Sequence, residues 1–347
     1  MVKTPARRII GVVAAACLSV AANGARARAD DVETFYKGKT IELYVGFFVG
    51  AGYDQRARLL ARHMGQYIPG NPNIIVRNMG GAGSLKLANW LKKIAPRDGS
   101  VFGMIGRGAG FDPLLGVKAA QFSGPEFNWI GTPSGETYLC AVLASTGVKR
   151  FEDTFTHKVI VGSVGTGDSG EIPGIMNAMF GSKFELVSGY KVTGDVSLAM
   201  ERGEVQGRCG WAWSALKATH QRWIDEKKLN LLVQFNRVQD PELPQVPIIF
   251  DFAHNDKQRK ILNLIFSRQD FGWPFLAPPG VPADRVVTLR KAFMAAMADK
   301  TLQTEAAKEK IDIAPVSGEK LQQMIAEIYD SPADIVQETK RLMPNGH

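Results

Sequence analysis

Two glycine-rich turns in the first third of the chain each join an apolar, strand-like run to a helix-like run. The first is Phe48-Val49-Gly50-Ala51-Gly52-Tyr53-Asp54 and the second is Asn78-Met79-Gly80-Gly81-Ala82-Gly83-Ser84. Glycine lets the backbone approach a ligand closely, and the first turn of a helix offers unpaired N–H groups at its positive end. The two turns therefore predict an α/β protein that binds a carboxylate or a phosphate.

Strand and helix patterns alternate along most of the chain, which predicts α/β layers with largely parallel sheets. The first strand is expected over Thr40–Phe47, and a helix over Asp54–Ile68 with Asp54 as its N-cap residue. A second αβ region follows from residue 159 to residue 235. We expect two lobes, one formed by residues 30–140 with 236–347 and the other by residues 141–235.

Residues 1–29 have the pattern of a cleavable export signal. A basic start with Lys3, Arg7 and Arg8 precedes an apolar core, and Ala27-Arg28-Ala29 supplies small residues at the cleavage position. An uncleaved membrane anchor and a lipoprotein signal at Cys17 are the alternatives. Cleavage leaves 37 basic and 34 acidic residues, so the net charge falls from +8 to +3. The charge therefore gives no argument for nucleic-acid binding, and we predict a periplasmic protein.

The side chains that carry most enzyme chemistry form no recognisable set. The five histidines are scattered without metal-ligand spacing, and no G-x-S-x-G motif occurs. We therefore predict no catalytic residues, no metal and no cofactor. Cys140 and Cys209 both lie in strand-like runs, and an oxidising compartment allows a disulfide between them or two buried thiols.

A third glycine loop, Gly162-Ser163-Val164-Gly165-Thr166-Gly167-Asp168-Ser169-Gly170, satisfies the G-x-G-x-x-G pattern of dinucleotide-binding proteins. Its position in the middle of an exported chain opposes that function. The same residues match P-loop spacing, but Asp168 stands where a lysine would neutralise phosphate. A loop for a small ligand is favoured, and a purely structural turn is the alternative.

Two arginines occupy strand or strand-end positions where a buried cation needs an anionic partner. Arg107 follows the third strand, at the edge where open α/β sheets place ligands. Arg208 lies in the strand-like run Val205–Trp213. For both, an internal salt bridge and a ligand carboxylate are open alternatives. Four aromatic residues are candidates for an apolar wall of the site or for the core, namely Tyr53, Tyr190, Trp211 and Trp213.

Several motifs resemble, in the same order, those of the TctC or Bug family, the periplasmic receptors of tripartite tricarboxylate transporters. They are Gly50 to Arg58, Gly65-Gln66, Asn78 to Gly83, Pro96 to Gly99, Ser163-x-Gly165-x-Gly167, Tyr190-Lys191, Leu243 to Pro247 and Ala277 to Gly280. The resemblance covers nearly the whole mature chain. It implies a two-lobed, type II-like Venus-flytrap fold that binds a small carboxylate between its lobes. It also implies transporter membrane subunits as partners and a monomeric receptor.

The ligand loops depart from the family pattern at Tyr53, Asp168 and Glu171. Tyr53 favours an aromatic carboxylate, whereas Asp168 and Glu171 favour a ligand with an amine, and this choice stays open. A sensor for a membrane kinase and an exported enzyme that acts on a small acid are the alternative functions. The expected ligand-binding residues are Phe48, Gly50, Ala51, Gly52, Tyr53, Gly81, Ala82, Gly83, Ser84, Arg107, Ser163, Thr166, Gly167, Asp168, Tyr190 and Arg208.

Overall fold

The computed structural model describes residues 31–165 and 168–343, which form two β-sheets covered by helices. The expected export signal, with Cys17, lies outside the described residues. So do Thr166 and Gly167 of the third glycine loop. Within the two described ranges, no helix has both the length and the apolar character needed to cross a bilayer.

The first sheet has six strands. Its strands are β1 (Thr40–Val45), β2 (Asn73–Asn78), β3 (Val101–Met104), β4 (Asn128–Thr132), β10 (Phe275–Ala277) and β11 (Val316–Ser317), in the order β11-β4-β10-β3-β1-β2. β1 pairs in parallel with both β2 and β3, whereas β10 runs antiparallel to β3 and β4. The carboxyl ends of β1, β2 and β3 therefore share one edge, and each leads into a glycine-containing loop.

The second sheet has five strands. They are β5 (Tyr138–Leu143), β6 (Val159–Ser163), β7 (Phe184–Ser188), β8 (Gly207–Ala212) and β9 (Leu229–Gln234), in the order β7-β6-β8-β5-β9. β6 is parallel to β7 and β8, but β5 is antiparallel to β8 and β9. Both sheets are thus mixed, and the expectation of largely parallel sheets was wrong. The chain enters the second sheet through β5 and leaves it through β9, and β5 runs antiparallel to the other four strands.

The helices pack on the faces of the two sheets and on one another. They are α1, of which residues 31–36 are described, α2 (Gly52–Met64), α3 (Leu85–Lys93), α4 (Asp168–Phe180), α5 (Thr193–Glu201), α6 (Trp213–Asp225), α7 (Asp256–Phe266), α8 (Arg268–Phe271), α9 (Ala283–Ala298), α10 (Lys300–Lys308), α11 (Gly318–Tyr329) and α12 (Ala333–Leu342). Amphipathic spacing explains their faces. In α9, for example, Leu289, Phe293 and Met297 are buried in the core of the first lobe.

The chain crosses from the first sheet to the second between β4 and β5, and it returns to the first sheet between β9 and β10. The boundary expected after residue 140 falls inside β5, whose residues pair wholly within the second sheet. The change of sheet therefore precedes Tyr138. Because β9 ends at Gln234, the return boundary expected after residue 235 falls directly after the last strand of the second sheet.

Cys140 and Cys209 occupy paired positions on the neighbouring strands β5 and β8, and the structure joins them by a disulfide. Both residues are fully buried. The disulfide closes a segment of the second lobe that contains β6, α4, β7 and α5.

Candidate functional site

A cavity of about 230 Å³ lies where the loops of the first sheet meet the start of α4 from the second lobe. The residues that line it are Phe47, Tyr53, Gly83, Gly106, Arg107, Gly108, Ala109, Asp112, Asp168 and Arg268. They come from the loops after β1, β2 and β3 and from α2, α4 and α8. The cavity is therefore bounded by both lobes.

Tyr53, in the first turn of α2, forms one wall of this cavity. Its ring stacks on Phe47 with 4.0 Å between ring centroids and packs against Trp273 at 4.6 Å. Its hydroxyl accepts the backbone N–H of Arg107 at 3.2 Å and donates to the carbonyl of Gly272 at 3.4 Å. One side chain thus fixes the loop after β3 against the segment that leads into β10.

Asp54 organises the first glycine loop from inside α2. The helix begins at Gly52 with Ala51 as its N-cap residue, so the prediction that Asp54 is the N-cap residue was wrong by position. The carboxylate of Asp54 accepts a hydrogen bond from the N–H of Gly50 at 2.8 Å and further hydrogen bonds from the side chains of Arg58 and Asn78. Burial raises the pKa of Asp54, but these hydrogen bonds outweigh burial and hold the pKa below its usual value. The carboxylate therefore ties the first glycine loop to the end of β2.

The second glycine loop has an unusual backbone. Gly81, Ala82, Gly83 and Ser84 all have positive φ, at 143°, 47°, 59° and 77°. For Ala82 and Ser84 this left-handed region is strained, and such strain is concentrated at binding and catalytic sites. Ser84 is fully buried and its hydroxyl accepts the N–H of Gly106 at 2.8 Å. The loop thus presents Gly83 to the cavity and uses Ser84 to hold the loop after β3.

Charged side chains connect the two lobes across the cavity. The guanidinium of Arg107, after β3, forms an ion pair with the carboxylate of Asp168 at the start of α4. Arg268 in α8 pairs with Asp168 at 2.8 Å and with Glu171 at 3.0 Å. Arg107 also lies over the ring of Tyr138, 4.4 Å from its centroid. An acidic residue at the start of α4 is favourable because the positive end of the helix dipole is there.

Asp112 is a further carboxylate in the cavity wall. Its side chain is only 2 % exposed, and its Oδ1 atom has no hydrogen-bond partner among the residues that the structure describes. Burial raises the pKa of Asp112 to about 7, although Arg268 acts in the opposite direction. The Oδ1 atom of Asp112 can therefore accept a hydrogen bond from a donor group of a ligand.

On the second lobe, Ser163 and Tyr190 stabilise the third glycine loop and the sheet beneath it. The buried hydroxyl of Ser163 accepts the N–H of Gly165 at 2.8 Å and lies 3.2 Å from the hydroxyl of Ser169. The ring of Tyr190 packs over Gly162, where an added Cβ would lie 3.4 Å from the ring. In the described part of the chain, both side chains support the loop rather than line the cavity.

Arg208, on β8, is 8 % exposed, and its Nε atom has no hydrogen-bond partner in the described ranges. Its guanidinium lies over the ring of Trp211, 5.2 Å from the centroid. Burial lowers the pKa of Arg208 to about 10. It does not line the 230 Å³ cavity, but the charge is buried without a carboxylate against it in the residues that the structure describes.

Of the residues expected from the sequence to bind ligand, Tyr53, Gly83, Arg107 and Asp168 line the cavity. Phe48 is 77 % exposed, and Gly50 is also at the surface. Gly81 and Ala82 are in the strained loop beside Gly83, and Ala51 and Gly52 begin α2 next to Tyr53. Asp112 and Arg268 also line the cavity but were not expected, because the sequence offers no local signal for them. Gly106 and Gly108 could have been found from the Gly-Arg-Gly run after β3.

A larger groove of about 730 Å³ lies between α6 and residues 303–313. Its lining consists of side chains such as Lys217, Gln303 and Lys310 and contains neither a glycine loop nor a buried unpartnered charge. The smaller cavity is therefore the better candidate site. Within residues 31–165 and 168–343, no group of three or more His, Cys, Asp and Glu side chains could hold a metal ion.

No family model matches this chain, and no curated protein matches it. Solved structures do. A TctC solute-binding protein from Polaromonas is similar with 18 % identity and a TM-score of 0.68, over 89 % of this chain and 99 % of that protein. MatC from Rhodopseudomonas palustris, with bound malate, has 20 % identity and a TM-score of 0.57, over 86 % and 99 %.

Rpa4515 of R. palustris, solved with adipate, is similar with 17 % identity and a TM-score of 0.60, over 88 % of this chain and 98 % of that protein. These structures share an overall fold with this chain across nearly their whole length. The α/β periplasmic-binding-protein fold expected from the sequence is therefore confirmed.

Proposed function

We propose that this chain is an exported, periplasmic solute-binding protein that captures a small organic carboxylate in the cavity between its lobes. It then delivers the ligand to the membrane subunits of a tripartite tricarboxylate-type transporter. The observation that carries the proposal is the cavity itself, which is bounded by glycine loops of one lobe and by Asp168 of the other. The proposal assigns no catalytic step to this site.

The backbone around the cavity is suited to an anion. Gly83 presents main chain without a side chain, and no neighbouring atom lies within 4 Å of the position of an added Cβ. α2 begins beside the cavity, and the N–H groups of its first turn have no helical partners. A carboxylate bound there gains hydrogen bonds and a favourable helix dipole without a dedicated cation.

The cavity volume limits the size of the ligand. A water molecule occupies about 30 Å³ of the liquid, so 230 Å³ corresponds to roughly eight waters. This is below the range of about 300–1,000 Å³ for sites of drug-sized ligands. The site therefore suits a compound of about ten or fewer non-hydrogen atoms. Malate and adipate, bound to the structurally similar MatC and Rpa4515, are of this size and support a carboxylate ligand.

Closure of two lobes over a ligand can signal occupancy to a membrane partner. In this chain the Arg107–Asp168 ion pair joins the lobes directly at the cavity. A ligand that inserts between the glycine loops and α4 would change the contacts that hold the lobes together. We propose that the monomeric, loaded protein presents this closed surface to the transporter subunits.

The binding proposal is tested with mature protein, beginning after residue 29, that has been unfolded and refolded to remove bound ligand. Thermal unfolding is then followed with three-carbon to six-carbon mono-, di- and tricarboxylates and with inorganic phosphate. A ligand at one hundred times its dissociation constant stabilises the protein by about 2.7 kcal/mol. A shift with one or more carboxylates is expected. If only phosphate stabilises the protein, or no compound does, the proposal is wrong.

Delivery is tested separately in the native host. Deletion of the gene for this protein should abolish high-affinity uptake of the carboxylate identified in the binding screen. Complementation with the gene should restore uptake, and complementation with a Gly83→Ala variant should restore it poorly. Normal uptake in the deletion strain would contradict a transport role, even if binding is observed.

A further inference from the structure

We propose that Asp112 is a specificity-determining residue of the cavity and that the ligand it selects is a small aminocarboxylate, whose ammonium group its carboxylate accepts. The inference rests on the proposed carboxylate-binding function and specifies the class of carboxylate. It predicts that a compound with a carboxylate and an ammonium group binds better than the same acid without the amine.

The first observation is the position of Asp112, which is buried in the wall of a polar cavity. The residue lines the cavity and is 2 % exposed, and its Oδ1 accepts no hydrogen bond within the part of the chain that the structure describes. A buried polar atom without a partner costs free energy, and the cost is larger for a charged group than for a neutral one. A ligand that donates to this oxygen recovers that cost, whereas a ligand without a donor does not.

The second observation is the charge balance of the site. Both arginines of the cavity wall already contact protein carboxylates, Arg107 with Asp168 and Arg268 with Asp168 and Glu171. An ionised Asp112 adds a negative charge that these pairs do not offset. An ionised Asp112 would repel a dianionic ligand. A ligand whose ammonium group lies next to Asp112 would instead neutralise this charge.

The charged and titratable groups near Asp112 come from several elements. They are Arg107 of the loop after β3, Asp168 and Glu171 of α4, Arg268 of α8 and the hydroxyl of Tyr329 on α11. Glu171 disfavours an ionised Asp112, and Arg268 favours it. Because burial brings the pKa of Asp112 to about 7, the ionised form is accessible near neutral pH.

A competing binding mode, for a simple diacid, requires Asp112 to be protonated. A protonated Asp112 could donate to a carboxylate oxygen of a simple diacid. Binding of that kind consumes a proton and strengthens as the pH falls. Binding of an ammonium group to ionised Asp112 excludes a proton and strengthens as the pH rises through about 7. The two arrangements are therefore separated by the sign of the pH dependence.

The test is isothermal titration calorimetry on ligand-stripped mature protein with matched pairs of acids. The pairs are alanine and propionate, aspartate and succinate, glutamate and glutarate, and 2-aminoadipate and adipate. In at least one pair, the amino acid is expected to bind roughly 10- to 100-fold more tightly, which corresponds to a hydrogen bond with a charged group. Its affinity should rise roughly tenfold between pH 6 and pH 8.

The variant Asp112→Asn keeps the shape of the side chain and removes its charge. It should abolish the preference for the amino acid and the pH dependence, and the simple acid should bind at least as tightly as it does to wild type, because the repulsion from an ionised Asp112 is gone. Asp153→Asn is the matched control, because Asp153 is near the start of β6, at the opposite end of that strand from the cavity. This control should behave as wild type. Thermal unfolding of the unliganded Asp112→Asn protein verifies that the variant folds.

The outcomes separate this inference from the proposed function. If simple diacids bind as tightly as their amino counterparts, or if affinity rises with falling pH, the inference is wrong and the carboxylate site stands. The same holds if Asp112→Asn leaves the preference unchanged. If no member of any pair binds, both the inference and the proposed function are wrong.

Discussion

Arg107 and Asp168, 61 residues apart in the sequence, form an ion pair that connects the two lobes at the wall of the candidate site. The side chain of Asp168 is 6 % exposed and that of Arg107 is 21 % exposed. Charges with so little solvent around them interact more strongly than exposed ones. One of the contacts between the two lobes is therefore an ion pair in the wall of the candidate site itself.

The first prediction concerns this pair. Asp168→Asn should lower the free energy of unfolding by about 3 kcal/mol, because it leaves buried guanidinium charge with less compensation. A double-mutant cycle with Arg107→Gln should give a coupling energy of about 1–3 kcal/mol by chemical denaturation. The matched control is the Arg77–Glu42 pair, at 3.2 Å and largely exposed. Its coupling should stay below about 1 kcal/mol. Equal coupling energies in both cycles would show that the inter-lobe pair contributes no more to stability than an exposed pair.

The second prediction concerns Gly83. A Cβ at this position meets no atom within 4 Å, so Gly83→Ala introduces backbone strain at φ 59° and a methyl group at the cavity. The unliganded protein should lose about 1 kcal/mol of stability. Calorimetry should also show a loss of carboxylate affinity, because the added methyl group stands at the cavity. This loss should exceed what the backbone strain alone causes. Gly147→Ala is the control, since Gly147 has φ 76° and the same open surroundings outside the site. An equal loss of affinity in the control would show that Gly83 does not contact the ligand.

The third prediction is a pH dependence of stability that arises from Asp112. Its pKa is about 7 in the folded protein against about 3.9 in an unfolded chain. A carboxyl with a raised pKa binds more protons in the folded state, so its contribution is fully present below pH 4 and is lost as the pH rises through about 7. Relative to Asp112→Asn, the wild-type protein should lose roughly 4 kcal/mol of stability between pH 4 and pH 8. Parallel stability curves for the two proteins would contradict this assignment.

The sequence predicted those parts of the site that depend on local pattern. A strand, a glycine turn and a helix are contiguous in the sequence, which predicts Tyr53 and Gly83 in candidate ligand loops, and both residues line the cavity. Arg107 and Asp168 were each identified from their position after a strand, but their mutual pairing requires the two sheets to face each other. Asp112 and Arg268 meet at the cavity from 156 positions apart in the numbering. No periodicity in one sequence encodes such a contact.

The fold was predictable to a similar extent. The alternation of strands and helices gave the α/β class and the first lobe, in which β1, β2 and β3 follow each other in parallel. The antiparallel direction of β5 was missed, because an apolar run has the same residue pattern in either direction. Strand direction is decided by where the chain enters the second sheet, which is a property of the whole topology.

The fourth prediction concerns Cys140 and Cys209. Mature protein unfolded without reductant should show no free thiols by thiol titration, because the two cysteines are joined. The double variant Cys140→Ala/Cys209→Ala should lose about 4 kcal/mol of unfolding free energy, as expected for a loop with a sequence separation of 69 residues. The loss should appear equally with and without ligand, since the disulfide is outside the cavity. Two free thiols per mature chain would contradict the pairing.

The last prediction concerns Arg208, whose charge is buried beside Trp211. A buried cation without a carboxylate partner destabilises the protein that carries it, and burial has accordingly lowered its pKa to about 10. Arg208→Gln should therefore keep the unliganded protein folded and raise its free energy of unfolding by about 1–3 kcal/mol. Chemical denaturation near neutral pH measures this change.

The same variant decides whether Arg208 takes part in binding. If a ligand carboxylate reaches the guanidinium when the lobes close, Arg208→Gln should weaken carboxylate binding by roughly 10- to 100-fold, as expected for a lost charge-assisted hydrogen bond. Arg202→Gln, on the exposed end of α5, is the matched control and should leave affinity unchanged. Higher stability of Arg208→Gln with unchanged affinity would mean that Arg208 is a buried charge of the second lobe that does not contact the ligand.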